Sequence, residues 1–171
     1  MFAEGYRYDV LLKAIILDSS STESLIALRQ SPDGLETVHL TAATDIWNHS
    51  FLPQPEGSRR RSEIAPIQIK VTRRPIDKHT ADDIMTVWKK VLLETRYAEP
   101  GRFGKDGVIY MFSMKDPYRG ILSGQIWSPE AKSRMEHFTH LAESLVRYTH
   151  QSLTQTELDQ VVNNTRHFLA P

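Results

Sequence analysis

The chain has 171 residues, 40% hydrophobic and 25% charged, the balance of an ordinary folded domain able to bury a core without cross-links. Lysine plus arginine equals aspartate plus glutamate at 21 each, so no global charge draws the chain to nucleic acid or to an anionic membrane. Cysteine is absent, which excludes disulfides, thiolate metal sites and cysteine nucleophiles together.

The first apolar run, Val10 to Leu17, is β-branched and broken by Lys13. It reads as a buried strand rather than a helix of two turns. Glu4, Arg7 and Asp9 ahead of it do not suit a secretory leader, and no stretch is long and apolar enough to span a membrane. A cytoplasmic location is expected, with the periplasm as the alternative if a leader has been removed. Leu25 to Gln30 and Leu35 to Leu40 flank Ser31-Pro32-Asp33-Gly34, where proline fixes φ and Asp-Gly supplies the positive φ of a hairpin turn. A long loop follows over 44–66, with three prolines and the run Arg59, Arg60 and Arg61. Beyond it Ile67, Ile69 and Val71 alternate with Gln68, Lys70 and Thr72, the period of a half-buried strand that Pro75 ends.

Helices dominate the second half. Thr80 followed by Asp83 resembles a capping box, and Ile84, Val87, Trp88, Val91 and Leu92 recur at helical spacing. The segments 108–114 and 121–127 form a second hairpin about the turn residues Lys115 to Gly120. Ser128, Pro129 and Glu130 suit the cap, first turn and dipole of a helix reaching His150. A last helix starts at Thr154, with Glu157 completing a capping box and Leu153 and Leu158 spaced as a hydrophobic staple. The hairpins imply antiparallel neighbours. The expected class is α+β: one domain over 1–171, an antiparallel sheet built from hairpins, and two or three helices packed on one face.

Few residues offer chemistry. His137 and His140 stand three apart on a helix that points Met135, Phe138, Leu141, Ala142 and Leu145 elsewhere, so the two rings diverge and no metal site is expected. Gly101, Gly104 and Gly107 precede a strand, the wrong context for a phosphate loop. The serines lack a nucleophile-elbow pattern. No catalytic residue and no cofactor is assigned. Residues 51–78 carry seven basic and three acidic side chains, whereas 1–50 carry three basic and seven acidic. Trp47 and Phe51 lie on the same long loop as the three arginines. Aromatic anchors and guanidinium forks serve protein contacts, so Trp47, Phe51, Arg59, Arg60 and Arg61 are the candidate binding residues.

The run "DGVIYMFSM", Gly120, "SGQIWSPE" and the helical "LAESLVRY" together resemble small bacterial proteins of the immunity type, over residues 85–150. That resemblance implies a compact, non-catalytic protein that blocks a partner, a cognate toxin, and it carries over no functional residue. A non-enzymatic protein-binding module is therefore the first reading, with no nucleic-acid or membrane partner and an open oligomeric state. The alternatives are a hydrolase whose site is assembled from dispersed histidines and carboxylates, and a structural subunit of a secretion or phage-like assembly. The hydrolase requires a buried histidine next to a carboxylate.

Overall fold

The computed structural model describes residues 9–44, 67–95 and 107–169. Six strands, β1 (Val10–Asp18), β2 (Ser24–Ser31), β3 (Gly34–Ala42), β4 (Ile69–Pro75), β5 (Val108–Asp116) and β6 (Gly120–Trp127), make one sheet in the order β4-β3-β2-β1-β5-β6. Every neighbouring pair is antiparallel. Helices α1 (Lys78–Leu93), α2 (Arg134–Thr149) and α3 (Gln155–Phe168) complete the α+β arrangement. Both hairpins form where the turn chemistry put them. Gly34 closes the first with φ 133°, a conformation that only glycine enters without strain.

The core lies between the sheet and the helices. Leu12 and Ala14 of β1, Ile26 and Leu28 of β2, and Phe112 and Met114 of β5 meet Ile84, Trp88, Phe138, Leu141, Leu145 and Leu158 from the three helices. Trp88 is fully buried and stands edge-on to Phe112 and Phe138, with ring centroids 5.4 and 4.8 Å away. Such pairs add about 0.5–1.5 kcal/mol each beyond their buried area. The opposite face of β2 and β3 carries a second buried cluster, Leu25, Ala27, Val38 and Leu40, flanked by Ile15, Ile69 and Val71. Strand alternation explains the separation. Ile15, Leu25, Leu40 and Val71 are register partners across four strands, one residue out of step with the helix-facing set.

Two helix starts differ from the sequence expectation. Asp77 caps α1, accepting from the amides of His79 and Thr80 at 2.8 and 3.3 Å. Thr80 lies inside the first turn, and its hydroxyl donates to Asp159 of α3 at 2.6 Å instead of capping. The α2 cap is Ser133, not Ser128. Ser128 and Lys132 take φ of 36° and 60°, so the chain turns before it can enter the helix. The α3 start is as expected, with both halves of the Thr154–Glu157 capping box present.

Candidate functional site: the outer edge of the sheet

The residues named from the sequence for partner contact, Trp47, Phe51, Arg59, Arg60 and Arg61, lie outside the described residues. The histidines behave as helix geometry requires. His140 is exposed, 3.2 Å from the Arg147 guanidinium, while His137 stacks on Phe168 with centroids 3.6 Å apart. No group of three potential metal ligands forms among the described residues.

One histidine escaped the sequence reading. His39 of β3 is buried against the last turn of α2, its Nδ1 2.8 Å from Nε2 of His150. Burial is the main reason its pKa falls to about 4, with His150 and Lys70 adding repulsion. Its Nε2 has no hydrogen-bond partner. A bare lone pair is easier to leave unpaired than an N–H, so the favoured tautomer keeps the proton on Nδ1 and donates it to His150. The signal was present in the sequence. Thr37, His39 and Thr41 alternate with Val38 and Leu40, which puts the polar set of β3 under α2. Thr149 of α2 donates to Thr37 at 2.9 Å in the same seam. The group facing His39 is a second imidazole, not the carboxylate that the hydrolase alternative requires.

The sheet has two edges of opposite character. The β4 edge carries Lys70, Arg73 and Arg74 and ends in Pro75. Charges and proline are the ordinary means of keeping a foreign strand off an edge. The β6 edge, Gly120 to Trp127, holds neither a charge nor a proline over its eight residues.

The ladder shows which backbone groups that edge offers. Ser128 N–H donates to the Val108 carbonyl at 2.9 Å, and the β5–β6 register runs unbroken from Ile109↔Trp127 to Asp116↔Gly120. Antiparallel pairs alternate between bonded and non-bonded positions. Even-numbered residues of β6 therefore bond inward to β5. Ile121, Ser123, Gln125 and Trp127 direct N–H and C=O outward, and no strand among the described residues pairs with them.

Beside these groups lies apolar surface that is built to stay in place. Ile121 is 78% exposed and Tyr118, at the tip of the β5–β6 turn, is 89% exposed. The turn itself is not loose. Asp116 accepts from the amides of Tyr118 and Arg119, each at 2.9 Å, and its carboxylate meets Lys89 of α1 at 2.6 Å. The Lys89 hydrogen bond, joined by the two amides, holds Asp116 below the usual carboxylate range. The hairpin thus presents an aromatic side chain, an isoleucine and a row of amides that no described residue pairs.

Compared with protein-family models, curated proteins and solved structures, the chain matches none of them.

Proposed function

We propose that this chain is a non-enzymatic protein-binding module that receives its partner as an added strand along the outer edge of β6. The observation that carries the reading is an edge that no described strand covers: four outward amide–carbonyl pairs, without charge or proline, beside exposed Ile121 and Tyr118. Strand addition draws its affinity from main-chain hydrogen bonds and its selectivity from alternate side chains. Here Ile121, Ser123 and Gln125 lie on one face of β6 and Leu122, Gly124 and Ile126 on the other. The resemblance to immunity-type proteins supplies the class of partner, a toxin that the bound chain occludes. Trp47, Phe51 and Arg59 to Arg61 belong to the same proposal as a second contact region.

The test is a tagged capture from native lysate, run in parallel with Ser123→Pro and with Arg59, Arg60 and Arg61 replaced by alanine. Proline at 123 removes an outward donor and leaves the ladder to β5 intact. One stoichiometric partner captured by the parent chain and lost with Ser123→Pro is the expected result. Loss only in the arginine variant would move the contact to that loop. A parent chain that pairs with itself, and loses that self-association with Ser123→Pro, would favour the assembly-subunit alternative.

A further inference from the structure

The inner side of β6 poses a separate question. Between the last turn of α1, the β5–β6 hairpin and the first turn of α2 lies a cavity of about 860 Å³. Its existence follows from the layout. α1 ends over Gly124, where a Cβ would stand 3.0 Å from Thr95 Oγ1 and 3.4 Å from Leu92 Cδ2. α2 cannot begin until Arg134, because the chain turns first at Ser128 and Lys132. Neither helix covers the end of the hairpin completely, and among the described residues the space between them stays open.

The walls define what fits. Leu92, Ile126 and Met135 supply apolar surface, the buried Phe112 and Phe138 stand behind them, and Trp127 borders the margin. The volume falls within the roughly 300–1,000 Å³ of sites that enclose a drug-sized molecule. Arg134 is the one cation among the described lining residues, and Glu94 already engages it at 2.6 Å. An anionic ligand would have to part that pair or enter without a counter-charge, and both are costly against apolar walls.

We infer that this cavity is a binding site for a neutral, largely apolar small molecule. The inference does not rest on strand addition, which uses the other side of β6. The side chains of Leu92, Ile126 and Met135 favour an apolar ligand, whose affinity comes from the surface it removes from water. The flexible thioether of Met135, half-buried at the start of α2, can adjust to its outline.

The experiment uses the whole chain and a matched pair of fluorophores. N-phenylnaphthylamine is neutral, and anilinonaphthalenesulfonate carries the same aromatic system with one negative charge. The neutral probe is expected to bind at a single saturable site, and the sulfonate about tenfold more weakly or worse. Met135→Trp and Ile126→Trp, each placing an indole in the space, are expected to weaken the neutral probe about tenfold while circular dichroism stays unchanged. Methyl resonances of Leu92, Ile126 and Met135 in the parent chain should shift on titration, which locates the site even if a filled variant does not fold. Absence of saturable binding by the neutral probe overturns the proposal. So does equal binding of the sulfonate, retention of affinity in both folded filled variants, or methyl shifts confined to other residues.

Discussion

β4 and β6 occupy the same topological position, the outer strand of one sheet, and differ in what their side chains are committed to. On β4 the guarding charge is also a structural part. Arg74 donates to the carbonyls of Tyr148 and Leu153 at 2.7 and 2.9 Å and lies 3.8 Å from the Tyr148 ring centroid. It thereby caps the carboxyl end of α2, where free carbonyls and the helix dipole favour a cation. On β6 no side chain has such a duty toward another described residue, and among those residues the outward backbone groups have no strand partner. One edge is closed by the architecture. The other has nothing among the described residues to close it, and that difference is what marks β6 as a surface for binding.

The largest expected effect tests the closed edge. Arg74→Ala removes two charge-assisted hydrogen bonds and a cation–π contact; the Tyr148 carbonyl keeps the Gln151 amide at 2.9 Å, and the Leu153 carbonyl loses its Arg74 donor. It should lower stability by about 3 kcal/mol in urea unfolding. Arg74→Lys should recover less than half, since an ammonium cannot both stack on the ring and fork to two carbonyls. Full stability of the alanine variant would mean that Arg74 is a surface charge and that the two edges are alike.

Nearly as large is an acid effect on the same side of the sheet. His39 has a folded pKa of about 4 against 6.5 when free. The unfolded chain therefore takes up this proton more readily than the folded one. The contribution is complete above pH 6.5, falls by about 1.4 kcal/mol per unit as pH drops toward 4, and totals on the order of 3 kcal/mol. Asp116, held below its ordinary 3.8, loses its contribution only below that window, whereas Glu157, held below its ordinary 4.5, begins to lose its own at the acid end of it. Urea midpoints at pH 7, 5.5 and 4.5 should fall for the parent chain and stay nearly level for His39→Gln. Parallel lines for the two would remove His39 as the cause.

A smaller effect examines the inner side of β6. Gly124→Ala brings a methyl within 3.0 Å of Thr95 Oγ1 and 3.2 Å of Thr95 Cγ2, so the end of α1 must give way. The expected cost is about 1–2 kcal/mol. Thr95→Ser, which removes the nearer methyl, should restore part of it. Without that partial rescue the cost would lie in the strand backbone and not in the helix approach.

How much of this was legible beforehand depends on the range of the interaction. Strands and turns are set by neighbours in sequence, so the period-two runs and the Ser31-Pro32-Asp33-Gly34 turn appear where alternation put them. Helix caps are local in chemistry but not in selection. Thr80 and Asp77 both had capping residue types, and the choice fell to Asp77 because Thr80 is claimed by Asp159, 79 residues away in sequence. Ser128 lost to Ser133 for the backbone reason given by its positive φ. The character of β6 as an edge lay beyond sequence altogether. Its lack of charge reads equally well as a buried central strand, and only the strand order distinguishes the two. His39 stood between these cases, visible as a polar alternation but without an identified partner until β3 met α2.

The smallest expected change in stability belongs to the open edge, and it separates folding from binding most cleanly. Ser123 is exposed and directs its amide away from β5, so Ser123→Pro should cost no more than about 1 kcal/mol, chiefly from the tighter φ of proline. Leu122→Pro, one residue earlier, removes an amide that the ladder directs to β5 and should cost about 3 kcal/mol or more. The neighbouring pair measures the parity of the ladder directly. If Ser123→Pro is mild and Leu122→Pro severe, the outward row is Ile121, Ser123, Gln125 and Trp127, and a partner strand must register against those four residues. If the order reverses, the inward and outward sets exchange, and the strand that β6 could accept would have to present its hydrogen bonds one residue out of step.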